Sequence, residues 1–153
     1  MKRLDIYTDG SCSVNSGKGG WGIVVVYQDK VYYEACGAEE NTTNNKMELT
    51  AFLTAMKWVE EHFKDELVSY TIYTDSAYIA NCFKDQWYKR WEINGWRTAN
   101  RVAVKNKELW EEILKIYKAT EHICSISYVK GHSDNVWNER ADILATSWRG
   151  NQC

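Results

Sequence analysis

The sequence predicts an α/β fold, a mixed β-sheet with helices packed on it. Two observations carry this. Three strand-like segments with short connections come first, and afterwards strand-like and helix-like segments alternate. The first pattern produces antiparallel strands and the second parallel ones, so a sheet that holds both is mixed. The chain has 153 residues, 44% hydrophobic and 26% charged, which fits one domain over 1–153 with one sizeable core.

Residues 4–12 (LDIYTDGSC) read as a strand that ends at a Gly-Ser turn. WGIVVVYQ (21–28) is apolar and β-branched, and VYYEACGA (31–38) follows the short turn Asp29-Lys30, so these two read as a hairpin. A long helix comes next. Thr42–Asn45 supplies capping residues, and Met47, Ala51, Phe52, Ala55, Met56 and Val59 repeat with helical spacing. SYTIYTD (69–75) reads as a strand and 76–84 as a short helix. From 84 to 107 cations alternate with aromatics around Gly95, with little clear period. A helix over 107–118 places Leu109, Trp110, Ile113, Leu114 and Tyr117 on one face. HICSISYV (122–129) reads as the last strand, and the loop KGHSDNVW leads to a final helix over 138–148.

Net charge is only −2, which argues against a generic nucleic-acid binder. Its distribution argues otherwise. Residues 84–107 hold seven cations against two anions, a surplus of five, so the remaining chain carries −7. No apolar run approaches the ~18 residues of a transmembrane helix, and Asp5 and Asp9 interrupt any signal-peptide core. A cytoplasmic protein with no membrane partner is the expectation. Nothing requires a dimer, so a monomer is expected. The five cysteines stand singly, without a CxxC pair, and read as free thiols.

One short echo points to chemistry. Residues 6–9 and 72–75 are both IYTD. If the two strands are parallel neighbours, they lie about 4.8 Å apart, and both Asp side chains sit at the carboxyl edge where α/β sheets bind ligands. Two carboxylates that close repel, unless a cation lies between them or one is protonated. Alone, either Asp reads equally as a strand end facing water. Glu48 shares the helical stripe of Ala51, Phe52 and Ala55, where an unpaired carboxylate is costly; its other reading is an acid near a helix N-terminus. Asp142 lies beside Ala141 and three before Ala145 in the last helix. Four converging carboxylates would bind hard cations through oxygen. Two Mg²⁺ about 4 Å apart can activate a water and stabilise a leaving phosphodiester oxygen. His132, in the Gly-containing loop before Asp142, is a candidate proton relay or aid to product release.

The stretches YTDGSC (7–12), TTNNKMEL (42–49), YTDS (73–76), the Trp-rich QWYKRWEINGWRTANRVAVKNKELW (86–110) and VKGHSDNVWNERAD (129–142), in this order, resemble type 1 ribonuclease H of the bacterial kind across nearly the full length. The resemblance implies a ribonuclease H-like fold. Its five-stranded mixed sheet, three antiparallel strands plus two parallel, is flanked by helices and carries a basic handle over about 84–107. It further implies a metal-dependent endonuclease that hydrolyses the RNA strand of RNA–DNA hybrids to 5′-phosphate and 3′-hydroxyl ends, in primer and R-loop removal.

Carried over residue by residue, Asp9, Glu48, Asp75 and Asp142 look like ligands of two Mg²⁺, with Mn²⁺ a possible substitute. His132 looks like the loop histidine and Glu139 like the acid preceding the last helix. Cys12, Asn15, Asn44 and Asn45 resemble hybrid contacts in the minor groove, where the 2′-OH separates RNA from DNA. Thr43 and Asn106 resemble a pocket for a phosphate of the DNA strand. In the handle, Trp87, Lys89, Arg90 and Arg97 are candidate substrate contacts, since cations neutralise phosphates and aromatics stack on bases or sugars. Trp91 and Trp96 are expected in the core of a small helical subdomain within the handle, where a helix running from Trp87 would set Trp87 and Trp91 one turn apart.

There are departures from the family pattern. Asn41 stands where relatives often have Arg, and Ala77 where they commonly have Gln, which removes polar contacts to substrate. Two other readings compete. A hybrid-binding module without catalysis does not call for an acidic cluster, and an integrase-like or resolvase-like DNA nuclease does not explain TTNN and the handle.

Overall fold

The computed structural model describes residues 2–64, 67–130, 135–150 and 153. The elements in chain order are β1 (Lys2–Cys12), β2 (Gly19–Tyr27), β3 (Lys30–Glu39), α1 (Asn44–His62), β4 (Val68–Thr74), α2 (Ala77–Lys84), α3 (Trp87–Asn94), α4 (Lys107–Thr120), β5 (Cys124–Tyr128) and α5 (Val136–Ala145), with a 3₁₀ turn over Ser147–Gly150. The five strands lie in the order β3-β2-β1-β4-β5. β1, β2 and β3 pair antiparallel, whereas β4 pairs parallel with both β1 and β5. This is the mixed sheet expected from the chain order.

Both faces of the central strands are covered, which explains why β2 reads as an unbroken apolar run. Ile23 and Val25 join Leu4, Ile6, Phe52, Met56, Ile72 and Trp110 in the larger cluster under α1 and α4. Val24 and Val26 point the other way, with Tyr7, Ala141 and Leu144, under α5. Successive side chains of a strand alternate faces, so one run feeds two cores. Gln28 and Asp29, both with positive φ (51° and 63°), make the tight hairpin turn, and Lys30 already belongs to β3.

Three expectations require correction. The basic segment, which shows little period in sequence, contains α3, a helix of 8 residues that starts at Trp87, as the helical reading of the handle expects, and is closed by Gly95 in the left-handed region. Two turns are too short to display an apolar stripe. Trp91 of α3 is buried with its ring 5.5 Å from Trp110 and 5.8 Å from Trp96, so the handle is anchored to the main core. Trp96 itself is only half-buried.

The last helix begins earlier and ends earlier than expected. Asn135 caps its start by accepting from the backbone N–H groups of Trp137 and Asn138. At the other end the Thr146 and Ser147 hydroxyls donate back to the carbonyls of Asp142 and Ile143 and divert the chain into the 3₁₀ turn.

The third correction concerns the thiols. Cys36 and Cys153 are joined in a disulfide with their Cα atoms 5.9 Å apart, while Cys12, Cys82 and Cys124 are free. The pairing spans 117 residues, a separation that leaves no mark in local spacing. It clips the segment after α5 to β3. Reduction, or Cys153→Ser, should therefore lower the urea midpoint. In the chain-entropy view the loss lies at or below about 5 kcal/mol for a ring of this size. Equal midpoints with and without reductant would show that the clip adds nothing.

Candidate active site

The two IYTD copies pair residue for residue. Ile6, Tyr7 and Thr8 of β1 lie opposite Ile72, Tyr73 and Thr74 of β4 in parallel register. The Tyr7 and Tyr73 rings stack with centroids 4.5 Å apart, and Thr8 Oγ1 donates to the Tyr73 carbonyl at 3.1 Å. The next residue of each copy is the aspartate, so Asp9 and Asp75 come side by side at the carboxyl edge of the parallel pair, as the echo predicts.

Glu48 arrives from above this edge. Thr43 caps α1 by accepting from Lys46 N at 3.1 Å, which places Glu48 in the second turn. Gly10 permits the approach: a Cβ there would fall on the Glu48 nitrogen and the Met47 carbonyl carbon. Asp142 comes from α5 on the opposite side of the sheet. Asp9, Glu48 and Asp75 each offer an oxygen, and these three oxygens lie within 4.8 Å of one another. Asp142 lies outside this tight triad but lines the same cleft, together with Ser11, Cys12, Asn44, Asn45 and Ser76.

The electrostatics follow from burial and crowding. Asp9, 5% exposed, is pushed up to about 8, first by burial and then by the charges of Asp75 and Asp142, with the Gly10 N–H pulling the other way. Glu48, also buried, is raised well above the usual carboxylate range by burial and by Asp9 and Asp75. Asp75 is raised by burial, although the adjacent Asp9 and Glu48 carboxyls pull it the other way. Among the described residues, Glu48 Oε2 and Asp75 Oδ1 are buried without a hydrogen-bond partner. Buried orphan oxygens in a cluster of three carboxylates suit a hard divalent cation, so the residues fit the metal that the sequence implies.

The remaining predicted site residues divide into groups. Cys12, Asn44 and Asn45 line the carboxylate cleft, and Cys12 Sγ donates to the Thr42 carbonyl at 3.3 Å. A second hollow of about 470 Å³ brings together Asn45, Trp87, Arg90, Arg97 and Asn106 with Tyr78 and Trp91. Asn45 belongs to both, so the cleft and the handle are continuous. Asn15, Thr43 and Lys89 are exposed and line neither hollow. His132 lies outside the described residues. Glu139 does not precede the last helix. It sits in its first turn, because α5 starts at Val136. Gly10, Ser11 and Ser76 line the cleft without having been singled out from sequence. Their adjacency to Asp9 and Asp75 was the available signal.

Known proteins show what this arrangement accompanies. A family profile described as RNase H matches residues 1–149. The chain belongs to the RNase H family. Relatives named ribonuclease H include that of Moorella thermoacetica, 47% identical over 145 residues that cover 95% of this chain and 90% of the relative. Another is that of Acetivibrio thermocellus, 45% identical over 146 residues, covering 95% and 94%. Among solved structures, LC9-RNase H1, a type 1 RNase H with the type 2 active-site motif, superposes with a TM-score of 0.81 at 28% identity, over all of this chain and 74% of that one. LC11-RNase H1, solved with an RNA/DNA hybrid, shares the fold at a TM-score of 0.70 and 21% identity, covering 94% of both chains. In this RNase H chain no described helix is long and apolar enough to cross a membrane.

Without a cation, the raised carboxylates make stability depend on pH. Asp9 and Glu48 hold their protons more tightly folded than unfolded. They favour the folded state at acid pH, and that contribution is lost as pH rises toward about 8, the value for Asp9. In the presence of a chelator, the melting temperature should fall steadily from pH 5 to about 8, and excess Mg²⁺ should abolish most of the fall. A melting temperature that is flat over this range without metal would contradict the crowded-carboxylate reading.

Proposed function

We propose that this ribonuclease H is an endonuclease that hydrolyses the RNA strand of RNA–DNA hybrids, with Asp9, Glu48, Asp75 and Asp142 holding two Mg²⁺ and with Mn²⁺ as a substitute. The observation that carries the reading is the set of three carboxylate oxygens within 4.8 Å of one another, in a cleft that also holds Asn44 and Asn45. A polyanion would not be bound by carboxylates unless cations intervene. When bound, such a metal pair activates a water and stabilises the leaving oxygen of an in-line displacement. The products are then a 5′-phosphate and a 3′-hydroxyl, which suits removal of primers and R-loops. Residues 1–153 act as one catalytic domain, monomeric and cytoplasmic.

The protein's own groups divide the remaining work. Asn44 and Asn45, with Cys12 and Asn15, read the minor groove, where the 2′-OH both donates and accepts. Thr43 and Asn106 take a phosphate of the DNA strand. Asn106 sits at the start of α4 in the left-handed region, and its side chain makes no capping bond, so the amide is available to a ligand. Trp87 stacks, while Lys89, Arg90 and Arg97 neutralise phosphates. His132 moves a proton or helps product leave.

Asp9→Asn should reduce Mg²⁺-dependent cleavage of a strand-labelled hybrid by at least about 10²-fold, the scale for removing one electrostatic partner of a transition state, while hybrid binding persists. Full activity in that variant, or equal cutting of double-stranded DNA by the wild type, would defeat the proposal. Replacing Lys89, Arg90 and Arg97 together should weaken hybrid binding for every sequence and lower its salt slope by about 2–3. An unchanged slope would place the handle off the substrate.

A further inference from the structure

We propose that Gly22 is a positioning residue for Asp142: its missing side chain sets how closely α5 rests on the sheet, and therefore how near Asp142 comes to Asp9. The inference rests on the metal-site reading above and adds a cause for its geometry.

Gly22 of β2 is the register partner of Asp9 across the antiparallel pair. On the α5 side, a Cβ at Gly22 would lie 2.6 Å from Leu144 Cβ, 2.8 Å from the Ala141 carbonyl oxygen and 2.9 Å from the Ala145 nitrogen. Two of these are backbone atoms, which cannot rotate away. The three residues bracket Asp142. Two places along the same strand, Gly20 receives the Ala145 carbonyl at 2.7 Å on the same measure. The helix that carries the fourth carboxylate thus lies on bare strand backbone.

Its start is pinned separately. The Asn135 side chain caps α5 and also donates to the Tyr7 hydroxyl at 3.4 Å, two residues before Asp9. A methyl group under the middle of α5 must therefore lift or tilt the helix. Carbon atoms pack at about 3.5–4 Å, so the displacement is about 1 Å. Ligand distances in a metal site tolerate about 0.2 Å. The strand contact lies on the α5 face of the sheet, whereas Asn44 and Asn45 belong to α1 on the other face, so substrate grip should be spared.

The test uses the full chain. Gly22→Ala should fold, by circular dichroism, with Mn²⁺ and Mg²⁺ affinity in calorimetry reduced about 10-fold or more, the range for loss of a ligand's support. kcat at fixed metal should fall, KM for hybrid should stay within about 2-fold, and excess metal should restore part of the rate. Adding Asp142→Glu to Gly22→Ala should regain metal affinity, because a longer side chain spans the gap. Gly37→Ala is the control: the three atoms nearest its Cβ would all belong to the Trp21 ring, at 2.5–2.6 Å, rather than to α5. It should cost stability without changing metal affinity. If Gly22→Ala does not fold, Ala141→Val wedges the same helix from its own side and should show the same loss. Wild-type metal affinity in the folded wedge variant, or an equal loss in Gly37→Ala, would overturn the inference. If Asp9→Asn also kept wild-type metal affinity, the metal site itself would be at fault.

Discussion

Carboxylates that repel one another are held together at one edge of the sheet, and much of the fold serves that constraint. Burial raises the cost of each charge, and proximity raises it again, so Asp9 and Glu48 are both pushed above the usual carboxylate range. Such a cluster persists only if independent elements hold each member. Here the parallel register of β1 and β4 places Asp9 beside Asp75. α1 docks over Gly10 to deliver Glu48, and α5 docks over Gly22 to deliver Asp142. The two glycine contacts lie on opposite faces of one short stretch of sheet. A backbone without side chains at those two points is what allows helices from both layers to reach the same edge.

Chemistry and grip are built from different material. The carboxylate cleft is acidic and mounted on the central strands. The surface proposed to grip substrate is basic and aromatic, mounted on a short helix and an extended loop. It hangs from the core through Trp91, whose ring packs on Trp110 and Trp96. On the proposed function, cations and tryptophans in the handle serve a ligand whose charge the cleft alone would repel. Asn45 lines both hollows and marks where they meet. A net charge of −2 conceals this division, because the opposing charges sit on separate parts of one body.

Much of this was legible in the sequence, and for physical reasons. Hydrophobic period follows from helix and strand geometry, so long elements such as α1 and the β2–β3 hairpin show themselves. The repeated IYTD announced two like strands with like ends. Glu48 drew notice because a carboxylate on an apolar stripe is costly. Short or irregular elements were less visible. α3 has too few turns for a stripe to emerge. The start of α5 was set by a single capping asparagine, and its end by hydroxyls that bond backward.

The sequence by itself determined the strands and the longer helices, the acidic set and the charge asymmetry, because these depend on local pattern and on the cost of burying charge. Only the tertiary structure decided which carboxylates form the tight triad and which stands beside it. Asp9, Glu48 and Asp75 meet within 4.8 Å, whereas Asp142 approaches from the far layer. Only the tertiary structure joined Cys36 to Cys153, and only it showed that Gly10 and Gly22 seat the two helices. These are contacts between residues distant in sequence, set by packing distances of a few ångströms, and no local pattern records them.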